Sequence, residues 1–164
     1  MSHRVKILLW AAALVVALGA ITAILLAYRG DLIRGIRSVE SLPARVFHSS
    51  LGDVEYVLEG SGPTVLVSHG VTGGIDQGAG LARTYLGPGY RLLLISRFGY
   101  LGSAFPAEAS AKSQARAYRE LLDHLGIERT FVLGNSAGGT SALHFAIEFP
   151  ARCSGLILVS TNVP

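Results

Sequence analysis

The chain has one cysteine, one tryptophan and one methionine among 164 residues. With Cys153 alone, an intrachain disulfide framework and a cysteine-rich metal site are both excluded. No His/Cys/Asp spacing suits zinc or iron. No G-x-x-x-x-G-K phosphate loop occurs, and no dinucleotide fingerprint follows the first expected strand. A protein with no metal and no cofactor is therefore expected. Charge is sparse too, at 15% of residues against 50% hydrophobic. That balance excludes disordered and fibrous classes, and the length suits one domain, not two. The net charge of +3 invites a nucleic-acid partner, but its distribution argues against one. Residues 1–45 hold six Lys/Arg against two Asp/Glu, and residues 46–164 hold eight against nine. A nucleic-acid binder needs a basic stripe on its folded part, and this chain has none.

The missing charge is concentrated in one place. Residues 7–28 are 22 consecutive positions without Asp, Glu, Lys or Arg. As a helix they would extend about 33 Å, enough for a hydrocarbon core of about 30 Å. A cleaved signal peptide has a shorter apolar core, about 7–15 residues, and ends in a small-residue site. This run is longer and stops at Ala27-Tyr28-Arg29-Gly30. The expectation is a single-pass membrane anchor over residues 1–29, with the lipid bilayer as its partner. A juxtamembrane linker over 30–45 and a folded domain over 46–164 follow. Arg4 and Lys6 precede the run, and Arg29, Arg34 and Arg37 follow it. This balance leaves the side of the membrane open.

In the remainder, residues 45–48 and 54–58 read as a hairpin around Ser49-Ser50-Leu51-Gly52. Short apolar strands are expected at 64–68, 91–96, 130–133 and 155–160, and helices at 76–86, 111–125 and 136–149. Within 111–125, Ala115, Tyr118, Leu122 and Leu125 share one face, and Gly126 stands where a C-terminal cap belongs. Strands alternating with helices predict an α/β fold, a mostly parallel, doubly wound sheet covered on both faces.

The chemistry centres on Gly134-Asn135-Ser136-Ala137-Gly138, a G-x-S-x-G pattern. By itself it is a tight turn. Here an expected strand enters it and an expected helix leaves it, as a nucleophile elbow requires. Glycines at 134 and 138 remove side chains that would collide across so sharp a bend. Ser136 would then stand exposed at the C-terminal edge of the sheet. The Ala137 N–H, at the helix N-terminus, would face a developing oxyanion.

Two further segments accompany it: Ser68-His69-Gly70-Val71-Thr72-Gly73-Gly74-Ile75-Asp76-Gln77-Gly78 and Ser96-Arg97-Phe98-Gly99-Tyr100-Leu101-Gly102-Ser103. With the elbow, in this order and after successive strands, they resemble the α/β-hydrolase superfamily of serine-hydrolase type, over about residues 46–164. The resemblance implies that His69 and Gly70 open the oxyanion loop, with the Val71 N–H as second donor and His69 shaping the loop without acting as base. It implies a turn over 97–103 beside the site; a plain surface turn is the alternative.

A serine needs a base, and the base needs an orienting group. In the family the order is Ser, acid, His. Downstream of Ser136 stand only His144 and Glu148, in the wrong order and too far along their helix, about 12 and 18 Å. Some relatives carry the acid just after the next strand, where this sequence has Thr161-Asn162. His3, His48 and His124 are not placed to serve. The chain reads as the N-terminal part of such a hydrolase, ending after the sixth family strand, with the acid and histidine beyond Pro164. Two functions stay open. One is a membrane-anchored serine hydrolase acting on a small ester-like molecule, with C–C hydrolases and haloperoxidase-like enzymes as variants. The other is a non-catalytic relic or membrane-tethered interaction module. The family's epoxide and haloalkane hydrolases use Asp, so Ser136 argues against them.

Overall fold

The computed structural model describes residues 2–161. The chain divides into two compact units after Ser41. The first is one helix, α1 (His3–Glu40), with no buried residue. It is long and apolar enough to cross a membrane by length and composition, and its most apolar 18-residue window has a mean hydropathy of 2.5. The linker expected over residues 30–45 is helical as far as Glu40. No proline intervenes before Pro43, and Asp31 pairs with Arg34 one turn on.

The second unit runs β1 (Arg45–Ser49), β2 (Gly52–Gly60), β3 (Thr64–Ser68), α2 (Ile75–Tyr85), β4 (Arg91–Ile95), α3 (Ala111–His124), β5 (Thr130–Asn135), α4 (Ala137–Glu148) and β6 (Cys153–Val159), with a 3-10 turn at Pro150–Arg152 before β6. The sheet order is β1-β2-β4-β3-β5-β6. The hairpin β1–β2 and the pair β2–β4 are antiparallel. The pairs β3–β4, β3–β5 and β5–β6 are parallel. The mostly parallel α/β sheet expected from the alternating pattern is present. Strand β5 runs two residues past its expected end, and β6 starts two residues early.

Helices cover both faces. On one, α2 seals Val57, Val65, Val67, Leu94 and Leu133 with its own Ile75, Ala79 and Ala82. On the other, α3 and α4 bury Tyr118, Leu121, Leu122 and Phe145 against Leu66, Leu93, Ile95 and Val132. Each such large side chain contributes about 1.5–3 kcal/mol on burial. Local signals set the boundaries of α3. Ser110 and Ser113 form a reciprocal capping box, worth about 1 kcal/mol. Beyond the last turn Gly126 adopts φ 63°. Its N–H reaches Asp123 O and the Ile127 N–H reaches Leu122 O, a Schellman closure that only glycine adopts without strain.

The topology positions the site. Chain order takes β3 to β4 on one side, then returns to β5 on the other side of β3. The switch point lies between β3 and β5, where open α/β sheets place their ligand crevice, outside the carboxyl ends of the strands. Ser68 stands in register with both Ile95 and Gly134. The loops leaving β3, β4 and β5 therefore emerge side by side.

Candidate active site

The turn from β5 to α4 holds Ser136 at φ 50°, ψ −120°, a conformation L side chains rarely adopt. Ser136 is exposed. Its N–H donates to Val159 O of β6 (2.9 Å), and its C=O accepts from Gly139 N–H (3.0 Å). The flanking glycines explain how so tight a bend packs. A Cβ on Gly138 would lie 2.3 Å from the carbonyl oxygens of both Ser68 and His69. One on Gly134 would lie 2.5 Å from Gly139 Cα and 2.7 Å from Ala142 Cβ. The first glycine lets α4 seat on the end of β3, and the second lets β5 seat on α4. Gly139 is a third requirement that the motif does not reveal, because its Cβ would meet Thr161 Oγ1 at 1.9 Å. Ala137 opens α4, so its N–H has no intrahelical acceptor and carries the positive end of the helix dipole.

The loop after β3 faces this turn. A Cβ on Gly70 would stand 3.4 Å from Ser136 Cβ, so the two segments are neighbours. The Gly70 N–H donates to Gln77 Oε1 (2.6 Å), and Gln77 Nε2 donates to Thr72 Oγ1 (2.8 Å). Gln77, in the first turn of α2, thus clamps the loop and occupies the Gly70 N–H. Among the described residues, the Val71 and Ala137 N–H groups have no protein acceptor. The sequence signal for Gln77 is its place at the third helical position, where Gln commonly reaches back to the preceding backbone.

His69 is fully buried and both its nitrogens are engaged. Nε2 accepts the Arg97 N–H (2.9 Å), so Nδ1 carries the proton and donates to Gly70 O (2.7 Å). Burial holds its pKa down at about 4, from 6.5. The ring is neutral, spoken for on both sides, and set edge-on to Tyr100 at 4.7 Å. It shapes the loop and offers no free nitrogen. Acid should reveal it. The unfolded chain takes up this proton near pH 6.5, whereas the folded chain resists until about 4. The stabilisation is complete above about 6.5 and lost as pH falls toward 4, on the order of 3 kcal/mol. Urea midpoints measured from pH 7 to 4 should fall accordingly. His69→Asn should start lower and lack this step. A wild-type profile that matches the variant's shape would refute it.

The 97–103 turn is more than surface. The Arg97 N–H fixes His69, Tyr100 OH donates to Val71 O (3.1 Å), and Ser103 Oγ donates to Ser96 O while accepting the Glu55 N–H. Residues 97–103 brace the β3 loop from the side. Tyr100 is a positioning residue that the sequence reading leaves unassigned.

No described acid or imidazole touches Ser136. His144 Nδ1 lies 3.3 Å from Glu148 Oε1 on the same helix, and Glu148 also faces Lys112 at 3.7 Å. His48 pairs with Asp53, and His124 stacks on Phe47. Thr161 packs on Gly139, while Asn162 lies outside the described residues. No cluster of three metal-ligating side chains occurs among the described residues.

Comparison with known proteins agrees with this fold. A family model described as alpha/beta hydrolase fold matches residues 63–164. A 2-hydroxy-6-oxo-6-phenylhexa-2,4-dienoate hydrolase of Comamonas testosteroni is 39% identical over 126 residues, 71% of this chain and 43% of that protein. A 2-hydroxy-6-oxononadienedioate/2-hydroxy-6-oxononatrienedioate hydrolase of the same organism is 38% identical over 108 residues, 61% of this chain and 37% of that protein. Among solved structures, an alpha/beta hydrolase fold protein from Nakamurella multipartita superposes with a TM-score of 0.68 at 35% identity, over 72% of this chain and 41% of that one. The chain thus spans about two fifths of the length of the relatives it matches.

Proposed function

Because the chain belongs to the alpha/beta hydrolase fold family, we propose that it is a membrane-anchored serine hydrolase in which Ser136 is the nucleophile. The observation that carries this reading is the exposed Ser136 at positive φ, beside the Val71 and Ala137 N–H groups, which have no protein acceptor among the described residues. The substrate is a small molecule with an electrophilic, ester-like carbonyl, in keeping with relatives named as hydrolases of oxo-dienoates. Ser136 Oγ adds to the carbonyl carbon as its proton passes to a base. The carbonyl oxygen becomes an oxyanion and accepts from the two N–H groups, aligned beforehand by the Gln77 clamp and the α4 dipole. Collapse expels the leaving group, protonated by the base, and leaves acyl-Ser136 for water to hydrolyse. The length and apolarity of α1 support anchoring in a bilayer.

The described residues bring no base to Ser136, so turnover by them alone should be near background. The oxyanion donors and binding leave a residual rate. One experiment tests both halves of the reading. Membranes from cells expressing the full chain are washed with alkaline carbonate and treated with a fluorophosphonate, with and without imidazole as an external base. The label should appear in the pellet, on the Ser136 peptide, strengthened by imidazole and absent in Ser136→Ala. Label that persists in Ser136→Ala, or none even with imidazole, overturns the nucleophile. Protein released by carbonate overturns the anchor.

A further inference from the structure

The apolar run ends at Tyr28, yet α1 continues to Glu40. A stalk standing in water would be polar on every side, and this continuation is not. Leu32, Ile33, Ile36 and Val39 fall on one face, in a stripe about 120° wide. Leu32, Ile33 and Ile36 are 49%, 39% and 48% exposed. Asp31, Arg34 and Ser38 lie on the opposite face, where Arg34 pairs with Asp31. Arg37 flanks the stripe, and Glu40 closes it at the last helical residue. Arg29 and Arg37 pair with no Asp or Glu among the described residues.

An uncovered apolar stripe calls for a cover. Position and charge favour the surface of a bilayer over a second copy of the helix. The stripe begins four residues past Tyr28, about 6 Å along the axis, and a headgroup layer is about 5–7 Å deep. Tyr28 and Arg29, at the boundary, are of the types that anchor chains at the interface. Arg29 falls within the arc of the stripe. A parallel pair of helices would set it against its own copy in the seam, whereas a bilayer offers phosphates to both Arg29 and Arg37. A straight continuation would lift Ile36 and Val39 about 12 and 16 Å past Tyr28, beyond the headgroups. Gly30 stands between the run and the stripe, and glycine weakens a helix where its axis must turn.

We propose that residues 31–40 are an interfacial segment that turns at Gly30 and lies on a phospholipid bilayer. Leu32, Ile33, Ile36 and Val39 enter the upper acyl layer, and Arg29 and Arg37 hold phosphates. This rests on the reading of residues 7–28 as a membrane span and adds a second, lateral contact to it.

The only tryptophan, Trp10, lies in the apolar run, so the test separates the two contacts. The full chain is reconstituted in vesicles of equal parts phosphatidylcholine and phosphatidylglycerol, with or without lipid brominated near the headgroup end of its acyl chains. Wild type reports on the span through Trp10. Trp10→Phe combined with Ile36→Trp reports on the stripe, and Trp10→Phe with Ser38→Trp on the opposite face. Brominated lipid should lower the emission of the Ile36→Trp protein about twofold or more, as expected at the depth of an interfacial helix. It should leave the Ser38→Trp protein nearly unchanged. Adding Arg37→Gln should weaken the hold of the segment about fivefold and reduce the quenching. Equal quenching on both faces, or none on either, overturns the segment. Blue-shifted emission at position 36 without quenching puts protein on the stripe and overturns it too. Quenching of Trp10 without quenching at position 36 leaves the span and removes the segment. The reverse leaves a surface helix and removes the span.

Discussion

Gly138→Ala is expected to cost the folded domain about 3 kcal/mol or more, the upper end of overpacking penalties. The added Cβ would stand 2.3 Å from two carbonyl oxygens, Ser68 O and His69 O, and 2.7 Å from Ser68 C. These are backbone atoms at the end of a fully buried strand, so no side chain can swing aside. Relief requires α4 to lift off β3, and lifting α4 also pulls Phe145 and Ala142 out of the core they share with Leu66 and Val132. Gly80→Ala is the control. It lies inside α2 with nothing within 4 Å of its Cβ, and should gain about 0.5–1 kcal/mol from helix propensity. Urea unfolding followed by tyrosine fluorescence separates the two. If Gly138→Ala unfolds at the wild-type midpoint, α4 does not seat on the end of β3 as described.

Ser136→Gly should have opposite effects on chemistry and stability. Fluorophosphonate labelling should vanish, since the only proposed nucleophile is gone. Stability should rise, because a non-glycine residue at φ 50°, ψ −120° stores about 1–3 kcal/mol. Glycine's larger unfolded entropy returns about 0.5–1 kcal/mol of that gain. A net increase of about 1 kcal/mol is expected, visible as a higher urea midpoint. The Ser136 side chain has no hydrogen bond to lose among the described residues. A lower midpoint would mean that the bend is not strained, and that the serine is held by interactions the structure does not contain. The expected result ties strain to function: the turn that exposes the hydroxyl is costly to the fold.

Much of the architecture could be read from residue order. Buried parallel strands are short continuous apolar runs, and Thr64–Ser68, directly after Pro63, and Arg91–Ile95, shortly after Gly87-Pro88-Gly89, are such runs. Helix α3 carries its own stop signals, so Ala111–His124 departs from its expected end by one residue. The boundaries of β5 and β6 were less legible, because the parallel ladder extends them through residues with no strand preference, such as Gly134 and Asn135. The helical conformation of the stretch after residue 29 was not legible for a related reason. Its charges resemble a linker, yet spacing by three lets Asp31 and Arg34 support the helix instead.

The sequence by itself determined the apolar run of residues 7–28, the α/β order and the elbow at Ser136, because these depend on periodicity and on neighbours within a few positions. The tertiary structure alone decided what Gly138 must avoid, that Gln77 occupies the Gly70 N–H of the β3 loop, and that both nitrogens of His69 are occupied. Such contacts join residues tens of positions apart, and their partners exist only once the parallel strands have aligned three loops at one edge of the sheet.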